Sequence, residues 1–267
     1  MAMSIEQTFA ALREKKQIAF MPFVTAGYPS LELLMTLLPA LEKAGANLIE
    51  LGFPFSDPIA DGPVIQESYT HALAKKIRVA DVFAAIKKAK AGVSIPIIAM
   101  VSYSIVYRFG LEAFCKAALD AGISGFILPD LPPPEAKGIC EKINKMGLKT
   151  ILLVAPTTPL GRRKEIAELC TGFIYYLSLS GITGERTTLP ADITESLTQL
   201  RSVTDRPICV GFGISKPEHL QQLKGHADGA IVGSAIVRQI KDRADQSDEA
   251  IAEGVGAYCR GLLSGVR

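Results

Sequence analysis

Short, almost unbroken apolar runs recur along the chain at 18–25, 47–53, 95–103, 125–129, 150–155, 172–177, 207–211 and 229–232. They are rich in Ile, Val, Leu and Phe and scarcely alternate with polar residues, as strands buried on both faces of a parallel sheet require. Amphipathic stretches of helical period lie between them, at 30–43, 79–90, 111–120, 134–145, 162–169, 191–202 and 217–223. Gly45, Gly122, Gly147 and Gly172 follow several of these stretches, where a left-handed residue ends a helix. Eight strands in 267 residues leave about 33 per unit, the length of a βα repeat with its turns. This pattern predicts an α/β fold, a single (β/α)8 barrel (TIM barrel) forming one domain over 1–267, with an extra N-terminal helix at 5–16 closing its bottom. The alternative is a doubly wound open sheet, which often shows GxGxxG after its first strand. Here the first run leads instead into Thr25-Ala26-Gly27-Tyr28-Pro29. Pro39, inside the second helical pattern, is expected to kink it.

Composition narrows the function classes. Hydrophobic residues make up 48% and charged residues 21%, and the net charge is +2 without a basic block, so nothing calls for nucleic acid or an anionic membrane. No apolar run approaches the ~20 residues that cross a bilayer, and the N-terminus lacks the basic start and apolar core of a signal peptide. The five cysteines, Cys115, Cys140, Cys170, Cys209 and Cys259, are odd in number, widely spaced and without metal-site spacing. They read as core thiols in a reducing, cytoplasmic setting.

In a barrel of this kind, chemistry comes from strand C-termini and the loops after them. That restricts the candidates to residues such as Phe23, Thr25, Glu50, Asp61, Ser102, Tyr103, Asp130, Tyr175, Gly211 and Gly233. No strand ends in Lys, and His71, His219 and His226 fall on or beside helical patterns, so neither a Schiff base nor a histidine metal site is expected. Glu50 stands out as a carboxylate inside the apolar run Leu48-Ile49-Glu50-Leu51-Gly52. With Ile49 and Leu51 facing the helices, Glu50 points into the barrel, where desolvation suits a carboxyl to acid/base work. Asp61 closes the loop that follows, stiffened by Pro54 and Pro58, so both carboxylates reach one mouth. Such a pair can hold one group protonated and the other ionised. Asp57 competes for the second role but lies nearer the loop tip.

The second half carries a phosphate-site pattern. Val210-Gly211-Phe212-Gly213 follows the seventh run and Gly233-Ser234 the eighth, where glycine permits close backbone approach and a starting helix offers free N–H groups. Lys216 occupies the position of a third glycine, so this is no dinucleotide fingerprint. The long polar segment 178–188 after the sixth run suits a lid.

These residues resemble the tryptophan synthase alpha chain family. The resemblance is carried by "LIELGFPFSDPIADGPVIQ" (48–66), "PFVTAGYP" (22–29), "GISGFILPDLPPPE" (122–135), "APTTP" (155–159), "YYLSLSGITGER" (175–186) and "VGFGIS" (210–215), in order along essentially the whole chain. It implies a carbon–carbon lyase that cleaves indole-3-glycerol phosphate to indole and glyceraldehyde 3-phosphate in tryptophan biosynthesis, with no cofactor and no metal. It also implies that indole passes to a pyridoxal-phosphate-dependent beta chain within an α2β2 heterotetramer. The resemblance carries the acid/base role onto Glu50 and the indole-nitrogen partner onto Asp61. It carries the indole-pocket residue onto Phe23, the neighbouring tyrosine onto Tyr175 and the lid threonine onto Thr183. The phosphate positions fall on Gly184, Gly213, Gly233 and Ser234. The loop 53–63, with Phe55 and Ile59, and Leu131-Pro132-Pro133-Pro134 read as docking surface. The chain departs from its relatives at Ser104-Ile105, where Asn is common on the partner-facing side. A stand-alone indole-releasing lyase and a non-catalytic regulatory barrel remain as alternatives; retention of both carboxylates weighs against the second.

Overall fold

In the computed structural model the described residues are 3–58, 61–177, 193–211, 213–264 and 266. The chain begins α1 (Ile5–Glu14), β1 (Ala19–Thr25), α2 (Leu34–Lys43), β2 (Ile49–Gly52), α3 (Pro63–Ala74), α4 (Val79–Lys90) and β3 (Ile97–Met100). It continues α5 (Tyr103–Phe109), α6 (Leu111–Asp120), β4 (Ile123–Ile127), α7 (Pro133–Lys145), β5 (Lys149–Ile151), β6 (Leu153–Val154), α8 (Leu160–Leu169) and β7 (Ile174–Leu177). Then come α9 (Ile193–Arg201), β8 (Ile208–Gly211), α10 (Pro217–Leu223), β9 (Gly229–Val232), α11 (Ser234–Lys241) and α12 (Asp248–Leu263).

All strand pairs are parallel, in the order β5-β4-β3-β2-β1-β9-β8-β7-β6. The two ends of that order are halves of one strand interrupted at Leu152. On one side Leu128 N–H donates to Ile151 O at 3.2 Å, and on the other Tyr175 N–H donates to Leu152 O at 3.1 Å. A one-residue change of allegiance thus joins the sheet into a ring, and the eight expected strands are present with the fifth split in two. The all-buried pattern of β1, β2, β3, β8 and β9 follows from being covered by helices outside and by the packed interior within.

The expected bottom helix is α1. Ser4 caps it reciprocally: Gln7 N–H donates to Ser4 Oγ at 3.2 Å, and Ser4 N–H donates to Gln7 Oε1 at 2.9 Å. Phe9 meets Phe173 just before β7 with centroids 5.9 Å apart, and Glu6 pairs with Lys149 at the start of β5. Both partners lie at strand amino ends, so α1 covers the end of the barrel opposite the mouth.

Four helices, α3, α5, α11 and α12, are not marked by the hydrophobic pattern, although the Gly233-Ser234 motif places the start of α11. α3 buries Ile65, Ser68, Tyr69 and Ala72, a helical face with a serine in it, so its apolar signal is weak. α5 is a short helix capped by Ser102, and α12 lies against α2, where Thr36 Oγ1 donates to Asp248 O at 3.3 Å. α2 runs through Pro39 as one element. Gly45, Gly122 and Gly147 take the expected left-handed conformation, with φ of 108°, 83° and 93°. Gly172 does not: α8 ends on an extended Cys170, and a Cβ on Gly172 would sit 3.1 Å from Ile151 Cγ1 and Cδ1. Close packing against Ile151 of β5, rather than helix termination, is what favours glycine there.

All five cysteines are free and buried, as expected of core thiols. Among the described residues no helix is long and apolar enough to cross a membrane.

Candidate active site at the barrel mouth

Glu50 sits second in β2, register-paired with Phe23 of β1 and Ile98 of β3. Its side chain points inward, because it interacts electrostatically with Tyr175 on β7 and Cys209 on β8, across the ring from β2. Glu50 is 1% exposed, and neither carboxyl oxygen has a hydrogen-bond partner among the described residues. A buried carboxylate without a donor is costly, so the neutral acid is favoured. Burial pushes the Glu50 carboxyl well above the usual range, and the nearby charge of Asp61 pushes it further.

Asp61 is held at the entry to α3, where Gly62 is the extended cap and Pro63 the first helical residue. Gln66 reaches back so that Nε2 donates to Asp61 O at 2.8 Å, tying the loop to the helix. Burial raises the Asp61 carboxyl to about 6. Both carboxyls are thus held above their usual range, Glu50 by burial and the charge of Asp61, and Asp61 by burial, and a close pair of that kind can serve acid/base chemistry. Asp57 is exposed and accepts from its neighbour Ser56 Oγ at 2.7 Å, so it belongs to the loop tip.

Two phenols complete this layer. Burial first, then the two carboxylates, pushes the Tyr69 and Tyr175 hydroxyls well above their usual range, so both stay protonated. Tyr69 packs edge-on to Phe23 with centroids 6.5 Å apart. Sequence reasoning missed Tyr69, because α3 carried no clear helical signal to place it.

Glycines at the ends of β2 and β8 make room for these rings. A Cβ on Gly52 would fall 2.5 Å from Phe23 Cζ and 2.6 Å from Tyr69 Oη, and one on Gly211 would fall 2.3 Å from Tyr175 Oη. The glycine after the seventh run therefore serves the tyrosine pocket as well as the turn. Gly211→Ala is expected to lower stability by about 1–3 kcal/mol through overpacking, read from urea unfolding. An unchanged midpoint would mean that Tyr175 swings aside freely.

Gly233 caps α11, and a Cβ there would lie 3.4 Å from Ile65 Cδ1 and 3.9 Å from Phe23 Cβ. The start of α11 is thereby placed beside Phe23, whose ring faces Tyr69. The first amides bonded within that turn are Ile236 and Val237, both to Gly233 O, so the N–H groups of Ser234 and Ala235 precede the helix's own ladder. Gly213 has φ of 78°, a left-handed conformation that glycine adopts without a steric penalty. Thr183, Gly184 and the 178–188 segment lie outside the described residues.

A cavity of about 430 Å³ opens beside this pair, lined by Asp61 and Tyr69 on one side, Met100 and Pro129 between, and Ser102, Ser104 and Asp130 beyond. Phe55, Asp57 and Pro58 of the loop after β2 also line it. Asp61 thus faces a mainly apolar space of ring-sized dimensions, with Tyr69 beside it.

The family model described as tryptophan synthase alpha chain matches residues 9–264. The chain belongs to the tryptophan synthase alpha chain family. It is 43% identical over 265 residues to the tryptophan synthase alpha chain of Rippkaea orientalis, covering 99% of this chain and 98% of that one. It is also 43% identical to the alpha chain of Chloroflexus aurantiacus, with 98% of each covered. Among solved structures, the alpha subunit from Pyrococcus furiosus aligns with a TM-score of 0.84 at 36% identity, covering 92% of this chain and 97% of that one. An aminoacrylate-bound tryptophan synthase from M. tuberculosis aligns with a TM-score of 0.86 at 29% identity, covering 99% and 100%. These neighbours share the barrel, in agreement with the strand order above.

Against that family background the remaining candidates fall into place. His71 lies in α3, His219 in α10 accepts from Ser215 N–H at 3.2 Å, and His226 follows α10, all away from strand C-termini. Among the described residues no three His, Cys, Asp or Glu side chains cluster as metal ligands would.

Proposed function

We propose that the pair Glu50 and Asp61 carries out the lyase reaction of the tryptophan synthase alpha family, cleavage of indole-3-glycerol phosphate to indole and glyceraldehyde 3-phosphate. The observation that carries the assignment is the buried Glu50 carboxyl, without a hydrogen-bond partner among the described residues, held well above its usual range beside Asp61. Indole is a poor leaving carbanion, so C3 is protonated first. Glu50, as the neutral acid, gives its proton to C3, and the positive charge that develops on the ring N–H is balanced by the Asp61 carboxylate. The resulting Glu50 carboxylate then takes the proton of the glyceryl hydroxyl. The C–C bond breaks, its electrons restore the indole ring, and the aldehyde forms. Glu50 ends protonated, as it began.

In this reading Phe23, Tyr69 and Tyr175 wall the indole site and exclude water, which strengthens the field of Asp61 on the ring. The phosphate is held by the α11 amides at Gly233 and Ser234, by the turn at Gly213 and by Gly184, and Thr183 serves as the lid threonine. No cofactor or metal enters any step. Residues 1–267 act as one barrel domain, and the five buried thiols support a reducing, cytoplasmic setting.

Alpha chains of this family work with a beta chain. For this chain we read the mouth-side loops at 53–63 and 131–134 as the docking face and α2β2 as the assembly, with indole delivered across it. Indole release by the purified full chain, with and without a tryptophan synthase beta chain, tests the whole reading. The expected result is slow release that rises strongly on adding the partner. Fast release that ignores the partner would make this a stand-alone lyase. Absence of indole under both conditions would overturn the assignment.

A further inference from the structure

The far wall of the mouth cavity has a fixed hydrogen-bond polarity. Asp130 Oδ1 accepts from Tyr103 N–H at 2.7 Å, and Asp130 Oδ2 accepts from Ser102 Oγ at 2.6 Å. A serine hydroxyl has one hydrogen, and that of Ser102 is already committed to Asp130. Ser102 Oγ therefore acts as acceptor for its other contacts, from Ser104 N–H at 3.2 Å and from the Ser104 hydroxyl at 2.7 Å. Both hydroxyl donors of the trio are spent within the trio. What its side chains leave available to the cavity is acceptor capacity: lone pairs of Ser104 Oγ and of the Asp130 carboxylate.

The same cavity is lined at its other side by Asp61 and Tyr69. We infer that this wall is a specificity determinant for the benzo ring of the substrate, selecting indoles that carry a hydrogen-bond donor, a hydroxyl or an amino group, over isosteric apolar ones. The inference rests on the proposed placement of the indole N–H on Asp61, which leaves the six-membered ring to extend across Met100 and Pro129 toward Ser102. A ring O–H or N–H there finds unfilled acceptors. A methyl group of the same size finds none, and it strips water from Ser104 and Asp130 without replacing its hydrogen bonds. The Ser104 hydroxyl is part of the cavity wall.

The test uses the full-length chain in the condensing direction. Indole C3 adds to the aldehyde carbon of glyceraldehyde 3-phosphate, the ring loses its C3 proton, and the carbonyl oxygen gains one. Unsubstituted indole is the control, and hydroxy- and methylindoles substituted at each benzo-ring carbon are compared as matched pairs by product chromatography. The expected result is a hydroxy-over-methyl preference of about three- to tenfold in kcat/KM at one ring position, shrinking toward unity in Ser104→Ala. A ratio near one at every position overturns the inference. So does a preference that persists undiminished in both Ser104→Ala and Asp130→Asn. Failure of indole itself to condense is a different result, since it would overturn the proposed reaction rather than the role of this wall.

Discussion

Glu50→Gln is expected to lower kcat for indole release by about 10²–10⁴-fold while the barrel stays folded. Glutamine keeps the shape of the side chain but cannot give a proton to C3 or take one from the glyceryl hydroxyl. Because Glu50 has no hydrogen-bond partner among the described residues, the substitution breaks no hydrogen bond that they supply. Steady-state kinetics alongside circular dichroism separates the two effects. Near-normal turnover in a folded variant would remove Glu50 from the mechanism. The same variant carries a stability signature. The Glu50 carboxyl is held well above its ordinary value of 4.5 by burial and by Asp61, so the folded state keeps the proton longer than the unfolded chain does. That contribution to stability is full below the unfolded pKa and is lost as pH rises through the folded one. Urea unfolding is therefore expected to show the parent losing stability from pH 5 to pH 9 more steeply than Glu50→Gln. Equal slopes would mean that Glu50 titrates normally.

Asp61→Asn is expected to reduce turnover by a similar 10²–10⁴-fold, for an electrostatic reason. The cation that forms when C3 is protonated spreads onto the ring nitrogen, and only an ionised carboxylate balances it in a site closed to water. An amide can accept the N–H but brings no charge. With its carboxyl raised from 3.8 to about 6, Asp61 is largely neutral at pH 5 and ionised at pH 7, so kcat should climb through pH 6 in the parent. The variant should lack that limb. The substrate phosphate titrates in the same region, so the diagnostic is the difference between the two profiles rather than the parent profile alone. A limb that survives in Asp61→Asn would assign it to the phosphate and leave Asp61 without an electrostatic role.

Much of the fold could be read from local pattern, for physical reasons. A strand buried on both faces must be apolar throughout, so the strands around the ring appear as unbroken runs. The amphipathic period likewise marked α4, α6, α7 and α10. Where helices carry a mixed face, as in α3 with Ser68 among its buried residues, that signal is absent, and Tyr69 went with it. The glycine rule held at Gly45, Gly122 and Gly147 but failed at Gly172, because close approach and left-handed geometry both call for glycine and only the packing of Ile151 distinguishes them.

For the site, the sequence by itself determined the chemistry on offer: a lone carboxylate in the apolar run of β2, a second in the loop after it, and glycines where an anion could meet backbone. Strand alternation was enough to turn Glu50 inward, because side chains on a strand have only two faces to choose from. What only the tertiary structure decided depends on closure of the ring. Joining β5 to β6 through Leu152 brings β7 and β8 opposite β2, and that opposition surrounds Glu50 with Tyr175 and Cys209. It also dries the interior, which raises the carboxyls of both Glu50 and Asp61. Ser104 and Asp130 line a shared cavity and are linked through Ser102 by contacts between the ends of β3 and β4, neighbours in space separated along the chain by α5 and α6. Residue identity supplies reactive groups locally, whereas desolvation, pKa and hydrogen-bond polarity are set by whatever the closed barrel packs around them.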